Sequence, residues 1–182
     1  MQAYKAVKAA RVKDPMIRIV TLTVAPDGHV VACEPGEGKG DPRSLEKACD
    51  IATSLHYTST ASIDGEPSYG RTQMAIMSFD EKGAKPWVTF PADITFKVNK
   101  LPPERNGLLR LVAVIEVSPR GEVERCQASG GKYETYAKLA CKQLRNSSRP
   151  IVNDPTGQAV RYVEDIKIQF VPEDLGTTGD TP

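Results

Sequence analysis

The chain has 182 residues, with 24 Lys and Arg against 23 Asp and Glu and a formal net charge of +1. This balance excludes the strongly basic surface that nucleic-acid binding requires. Hydrophobic residues make up 40% of the chain and charged residues 26%, as in ordinary globular proteins. The sequence contains no run of about 18 apolar residues, which is the length needed to span a membrane.

The first half of the chain predicts a β-hairpin, a helix and a third strand. The hairpin runs from Ile17 to Cys33 and turns at Pro26 to His29. The glycines at positions 36, 38 and 40 fit neither a dinucleotide fingerprint nor a Walker A loop, so a flexible loop is predicted there. Asp41 and Pro42 suit the N-cap and first position of a helix, whose inward positions are Leu45, Ala48, Cys49, Ala52 and Leu55. A turn at residues 64–67 leads to the last strand, from Thr72 to Phe79.

Residues 80–107 separate the two halves. Asp80 to Pro86 is charged and rich in turn-forming residues, which makes it the candidate boundary. The aromatic stretch from Trp87 to Val98 follows, and we expect it to continue the first sheet and cover the seam between the halves. The alternative is an exposed ligand patch. Leu101 to Gly107 is a second linker.

The second half predicts the same series of elements. Alternating apolar residues around a turn at Ser118 to Gly121 make a hairpin from Val112 to Cys126. Tyr133 to Arg145 is predicted to be helical, because small or apolar residues recur with a 3.6-residue period at Ala137, Ala140, Cys141 and Leu144. A loop at residues 153–157 leads to a strand from Val160 to Phe170, and residues 172–182 are predicted to be a disordered tail.

The two halves match in register, which indicates an internal repeat. Gly28 and Cys33 recur 93 positions later as Gly121 and Cys126, and Cys49 recurs 92 positions later as Cys141. Common hairpin patterns could explain the turn match but not the registered cysteines. We therefore predict an α+β fold of two tandem β-β-α-β units, each a small antiparallel sheet packed on one helix. The units span residues 1–85 and 108–171, and residues 86–107 form a linker or an added strand.

Each unit has one cysteine at the end of its hairpin and one inside its helix. Cys33 and Cys49 are 16 residues apart, and Cys126 and Cys141 are 15 residues apart. A helix packed on its own hairpin would bring each pair within disulfide range, and closing a loop of about 15 residues would stabilise the unit by roughly 3 kcal/mol. Four free core cysteines are the alternative. A zinc site is disfavoured, because no C-x-x-C motif is present and neither histidine has a counterpart in the second half.

The sequence contains no recognisable catalytic constellation. His29 lies in a hairpin turn, His56 lies at a helix end, and each cysteine has a structural explanation. A G-x-S-x-G nucleophile elbow and a metal-binding helix are both missing from the sequence. We therefore expect no enzymatic activity, no cofactor and no metal, although free thiols at Cys33 or Cys126 would reopen a redox role.

The second half resembles the C-terminal domain of the TonB family. The resemblance consists of a strand, a Pro-x-Gly hairpin at residues 119–121, Cys126, small residues at 129–131, a helix with Ala140-Cys141 and a closing strand that ends in Phe170. The first half resembles the same domain through Asp27-Gly28, residues 45–50, Tyr57 and residues 65–67. The paired cysteines are similar to those of an alphaproteobacterial subset of the family.

The chain also departs from the family pattern. After the helix the family favours an aromatic residue followed by Pro-Ala, where this chain has Arg149-Pro150 in one half and Tyr57 to Ala61 in the other. The sequence shows neither the family's membrane anchor and proline-rich spacer nor a signal peptide, so we expect a fragment or mature chain and do not expect energy transduction proper. The resemblance then implies a non-catalytic periplasmic binding module.

The family resemblance implies a peptide-binding site at the closing strand, where the receptor's N-terminal box peptide pairs. Edge strands accept extended peptides through main-chain hydrogen bonds. The expected partner is a TonB-dependent outer-membrane receptor or another envelope protein, and the expected strand in this chain is Arg161, Tyr162, Val163, Glu164, Asp165, Ile166, Lys167 and Ile168. The corresponding strand of the first unit is Arg71 to Met77.

Three other interpretations stay open. The charges on this strand could merely protect an edge from aggregation. The stretch from Trp87 to Val98, or the other unit, could cover the edge. The chain could also be a structural or scaffold protein, dimeric through its edges, with no role in transport.

Overall fold

A computed structural model of the chain describes residues 16–39, 43–58, 60–78, 90–105 and 107–173. The first half contains strands β1 (Met16–Val24), β2 (Val30–Lys39) and β3 (Tyr69–Ser78), with helix α1 (Arg43–Thr53) between β2 and β3. Strand β4 (Ile94–Val98) follows. The second half contains strands β5 (Leu109–Val117) and β6 (Val123–Ala128), helix α2 (Glu134–Leu144), two short strands β7 (Val152–Asn153) and β8 (Ala159–Val160), and strand β9 (Tyr162–Pro172). The fold is therefore mixed α+β, as predicted.

Seven strands of the described residues form one continuous sheet. Its order is β2-β1-β3-β9-β5-β6, and β4 lies beside β9 as the seventh strand. β1 pairs antiparallel with β2 and β3, β5 pairs antiparallel with β6 and β9, and β3 and β9 are parallel. The sequence predicted two separate small sheets. The structure instead joins the two sheets edge to edge through the parallel pair, a long-range contact that no local pattern encodes.

The two helices pack on opposite faces of this sheet. In the first half, the β1 residues that face α1 include Leu22, which is paired with Thr72 of β3. In the second half, the face toward α2 includes Ile115 of β5, which is paired with Glu164 of β9. The parallel register puts Glu164 beside Arg71, the neighbour of Thr72 on the other face of β3. Because side chains alternate between faces along a strand, α1 and α2 must lie on opposite sides.

Helix α2 buries every position predicted to face inward, whereas α1 buries two of the five predicted for it, because Cys49 is half-buried, Leu55 lies beyond the end of α1 and the Leu45 side chain is outside the described ones. Ala137, Ala140, Cys141 and Leu144 of α2 are all buried, and so are Ala48 and Ala52 of α1. Each helix is also linked to its own hairpin by a disulfide, Cys33–Cys49 in the first half and Cys126–Cys141 in the second. Both predicted cysteine pairs are confirmed, and no free cysteine remains among the described residues.

Glycines at the two hairpin turns allow the chain after each helix to approach. Gly121 has φ +81°, and a Cβ atom there would lie 2.4 Å from the carbonyl oxygen of Arg149. Gly28 has φ +93°, and its Cβ would lie 2.1 Å from the carbonyl oxygen of Tyr57. Backbone hydrogen bonds from Arg149 N to Gly121 O (2.8 Å) and from Tyr57 N to Gly28 O (3.0 Å) hold these contacts.

The structure corrects two of the sequence predictions in this region. Gly36 and Gly38 of the predicted glycine loop are part of β2, where a Cβ atom on Gly36 would lie 2.8 Å from the carbonyl oxygen of Ile19, and Gly40 lies outside the described residues. The glycines therefore permit close packing on β1. Of the stretch predicted to continue the first sheet, residues 94–98 form β4, which pairs with β9 of the second half. The predicted helix cap at Asp41-Pro42, the boundary at residues 80–86, Trp87 and the tail from residue 174 lie outside the described residues.

Candidate peptide-binding edge

The closing strand β9 lies inside the sheet, and the prediction that its edge is free is wrong. On one side it pairs with β5 over nine residue pairs, from Leu109↔Phe170 to Val117↔Tyr162. On the other side its first three residues pair with Tyr69 to Arg71 of β3, and residues from Ile168 onward pair with β4. The edge of β9 is therefore covered both by β4, from the stretch between residues 87 and 98, and by β3 of the other half. Both kinds of cover were alternatives that the sequence left open.

The eight residues of the predicted site divide between buried and exposed positions. Tyr162, Val163, Glu164, Ile166 and Ile168 are buried, Lys167 is half-buried, and Arg161 and Asp165 are exposed. Arg161 forms an ion pair with Glu124 at 2.9 Å. Burial raises the pKa of the Tyr162 phenol to about 12, and its hydroxyl donates to the carbonyl oxygen of Pro150 at 2.8 Å. Most of this strand therefore belongs to the core.

Glu164 is the centre of a buried ion-pair network between the two halves. One carboxylate oxygen accepts from Nη1 of Arg71 at 2.7 Å, and the other accepts from Nη2 of Arg149 at 2.7 Å. Arg71 also donates from Nη2 to Glu34 at 3.1 Å. The Glu164 side chain is 8% exposed, and those of Arg71 and Arg149 are 15% and 17% exposed. Such a network holds the parallel strands in one register, since a buried carboxylate requires its cations.

The sequence does contain a signal for this network. Every second residue of β9 faces the core, and the apolar or aromatic side chains of this series are at positions 162, 166, 168 and 170. Glu164 belongs to the same inward-facing series. A carboxylate at an inward position needs a buried cation or donor. The identity of the two arginines could not be predicted, because Arg71 comes from the other half of the chain.

A turn in the first half also docks against the second half. Glu116 of β5 is 4% exposed, and its carboxylate accepts from the backbone N–H of Ile63 at 2.6 Å. Arg125 of β6 donates from Nη2 to Asp64 Oδ1 at 2.7 Å and lies 3.5 Å from Glu116. The hydrogen bond from Arg125 lowers the pKa of the Asp64 carboxyl below its ordinary value. The two halves are thus joined on both faces of the sheet.

In the described residues, the outer strands β2 and β6 each have a partner on one side of the sheet. β2 is a poor acceptor for an added strand, because Pro35 has no N–H to donate. Its register against β1 also shifts between Arg18↔Gly38 and Val20↔Pro35, which marks a bulge. Proline and a bulge are standard devices that block edge pairing.

β6 is the more suitable edge for a peptide. From Arg125 to Ala128 it keeps a regular antiparallel register with β5 and contains neither proline nor glycine. The disulfide from Cys126 to Cys141 fixes this strand to α2. Gln127 is exposed, so an approaching chain would meet little obstruction there. A rigid, regular edge reduces the entropy cost of adding a strand.

Searches for other kinds of site and for relatives give no assignment. Among the described residues there is no group of three or more His, Cys, Asp or Glu side chains that could hold a metal ion. Within that same part of the chain, no helix has the length and apolar character needed to cross a bilayer. The chain matches no known family model, no curated protein and no solved structure.

Proposed function

We propose that this chain is a non-catalytic TonB-like binding module that engages an extended peptide by adding it to the β6 edge. The observation that carries the proposal is the part of β6 from Arg125 to Ala128, which follows the register shift at Glu124, keeps a regular register with β5, contains no proline and is held by the Cys126–Cys141 disulfide. The partner is a TonB-dependent outer-membrane receptor or another envelope protein. Both disulfides are consistent with an extracytoplasmic location, and the proposed compartment is the periplasm.

We further infer that the two halves are tandem copies of one β-β-α-β unit. The backbone hydrogen bonds of the turns recur at the repeat displacement: Ala25 N to His29 O matches Ser118 N to Glu122 O. The bond from Tyr57 N to Gly28 O likewise matches the one from Arg149 N to Gly121 O. Recurrence of such specific contacts supports duplication better than similarity of elements alone.

Duplication explains why the binding edge differs from the one that the family resemblance implies. The closing strands of the two units, β3 and β9, pair in parallel with their helices on opposite faces. A two-fold rotation about an axis parallel to these strands produces this arrangement. Each unit thus occupies part of the other's closing edge, and a peptide must use an outer strand.

The alternative proposal is a scaffold protein with no transport role, dimeric through its edges. The cover of β9 by β3 and β4 favours this alternative, because the edge used by the resembling domains is already paired. A dimer through β6 would bury the same outward backbone groups as a peptide would. Light scattering across a concentration series separates the two, since a binding module without its peptide stays monomeric.

The proposal can be tested with peptides selected from a phage-displayed library of 12-residue sequences. Hydrogen exchange of the free protein first identifies the β6 amides that face away from β5, because these exchange rapidly. Bound peptide should slow their exchange while leaving the amides of β2 unchanged. Protection that maps to β2, to a loop or to no backbone segment would contradict strand addition at β6.

A pair of variants isolates the backbone contribution. At an outward-facing amide, which is either Gln127 or Ala128 according to the exchange data, proline removes one donor without disturbing the bonds to β5. We expect the proline variant to bind the selected peptide about tenfold more weakly. Gln127→Ala or Ala128→Gly keeps the amide and serves as the matched control, with an affinity within about twofold of the parent. Equal binding by the proline variant would refute the proposed site.

A further inference from the structure

A pocket of about 520 Å³ lies on the face of the sheet opposite helix α2. Its floor includes Val112 of β5 and Lys167 of β9, which are paired across the two strands. Phe90, Ser129 and Arg110 of β5 also line it. The volume lies within the range of about 300–1,000 Å³ that small-molecule sites occupy. Of its lining residues, Ser129 directly follows β6, whereas the others named here belong to β5, β9 and the segment before β4.

The two cationic side chains of this pocket, Lys167 and Arg110, differ in whether a carboxylate lies close to them. Lys167 Nζ lies 4.0 Å from the Asp93 carboxylate, donates to Gln73 Oε1 at 3.0 Å and sits 4.9 Å from the centroid of the Phe90 ring. Its charge is therefore already balanced. Arg110 is exposed, and no carboxylate of the described residues lies within ion-pair distance of its guanidinium. Within the described part of the chain, the positive charge of Arg110 in this pocket thus has no carboxylate partner.

The remaining lining is suited to an apolar body. Val112 is 50% exposed, although it is a large aliphatic residue in the middle of a sheet. Phe90 provides an aromatic surface beside it, and no described residue bonds to the Ser129 hydroxyl. A bare inorganic anion would leave the apolar surface unused, and a neutral hydrocarbon would leave Arg110 without a partner. A ligand that carries both groups satisfies both.

We propose that this pocket binds a small organic carboxylate with an aromatic or branched aliphatic body. The guanidinium of Arg110 takes the carboxylate in a two-point contact, the geometry for which arginine is suited. Ser129 supplies a further hydroxyl donor at the rim. The ligand body covers Val112 and packs against the ring of Phe90.

The experiment is a titration of the intact, disulfide-bonded protein followed by ¹H–¹⁵N correlation spectra. The probes are 3-phenylpropionate, its neutral amide 3-phenylpropionamide, and inorganic phosphate. We expect 3-phenylpropionate to shift the amides of Arg110, Val112, Ser129 and Lys167, with a Kd of about 1–5 mM, as a ligand of this size allows. The amide and phosphate should bind at least about tenfold more weakly.

Variants at the pocket test the role of the charge. Arg110→Gln should weaken 3-phenylpropionate binding about tenfold. Arg110→Lys should retain part of the affinity, because lysine keeps the positive charge but cannot make the two-point contact of a guanidinium with a carboxylate. Val112→Asp should abolish binding by placing a carboxylate in the pocket. Arg120→Gln, at an exposed turn position, is the matched control and should bind like the parent. Dispersed spectra show that each variant is folded.

The possible contrary results are distinct. Equal binding of the neutral amide, or unchanged affinity of Arg110→Gln, would overturn the carboxylate assignment. Equal shifts by phosphate would reduce the pocket to a non-selective anion contact and also overturn it. Shifts confined to β6 would place the ligand elsewhere. None of these results bears on peptide binding at β6, which the exchange experiment tests separately.

Discussion

Replacing Glu164 by Gln should destabilise the protein strongly, because it removes a buried charge that is shared by two partly buried arginines. The substitution preserves side-chain volume, so cavity formation does not contribute. Arg71 would keep Glu34, whose side chain is 64% exposed, at 3.1 Å, whereas Arg149 would keep no carboxylate partner in the described residues. Breaking a buried pair by removing one partner costs about 3–5 kcal/mol, and we expect a loss of about 3 kcal/mol here because Arg71 stays partly paired.

Urea unfolding followed by circular dichroism measures this loss. With an m-value of about 2 kcal/mol/M, a 3 kcal/mol change lowers the midpoint by about 1.5 M. The matched control is Glu124→Gln, which removes the exposed partner of Arg161. An exposed ion pair contributes about 0–1 kcal/mol, so the control midpoint should move by less than 0.5 M.

Similar losses of stability in Glu164→Gln and Glu124→Gln would show that the buried ion-pair network contributes no more than an exposed ion pair. A second variant separates the network from the fold: Glu164→Leu combined with Arg149→Met replaces charge by apolar volume. Such replacements are often neutral, so the double variant should be less destabilised than Glu164→Gln. Destabilisation of the double variant by the sum of the losses measured for Glu164→Leu alone and Arg149→Met alone would show that the two residues do not interact.

Three further predictions concern turns, ionisation and the disulfides. Gly121→Ala should lower the free energy of unfolding in urea by about 2 kcal/mol more than Gly157→Ala does. Both glycines have positive φ, but a Cβ atom at Gly157 would meet no atom within 4 Å. Equal losses of stability in the two variants would exclude the clash with Arg149. The folded-state pKa of Tyr162 is raised to about 12, so its contribution to stability is complete below pH 10 and is lost as the pH rises toward 12. Absorbance at 295 nm should show one tyrosinate forming near pH 12 that is missing in Tyr162→Phe, and a titration near pH 10 by every tyrosine would contradict this burial. Replacing Cys126 and Cys141 together by Ser should lower the free energy of unfolding by about 3 kcal/mol, from the entropy of a loop of about 15 residues; a loss below 1 kcal/mol by calorimetry would argue against that account.

The local elements were predictable because their signals lie within a few residues of each other. The α2 face follows from the spacing of Ala137, Ala140 and Leu144, and each hairpin follows from alternation around a glycine turn. The cysteine pairs followed from local packing as well, because each helix lies on the hairpin that precedes it. The β2 extension was missed because Gly36 and Gly38 suggest a loop, whereas they are needed where β2 lies close to β1.

The location of the proposed binding edge could not be predicted from the sequence. The resemblance implied Arg161 to Ile168, but whether a strand is central or at an edge depends on contacts between residues about 90 positions apart. The Arg71–Glu164 ion pair is such a contact, and so is the parallel pairing of β3 with β9. The pocket beside Arg110 likewise requires β5, β9 and Phe90 to be brought together.

The amino-acid sequence alone therefore determined the α+β class, the two helices, the hairpins and the disulfide pairs. Their periodicity, turn residues and loop lengths are local, and local interactions are encoded within short windows. The tertiary structure alone decided that the two sheets are one, that the helices lie on opposite faces and that β9 pairs with strands on both sides. These features depend on which strand edges meet. Because backbone hydrogen bonds between strand edges are the same for every sequence, they do not favour one pairing of edges over another. Only the packing of the side chains selects the pairing that forms.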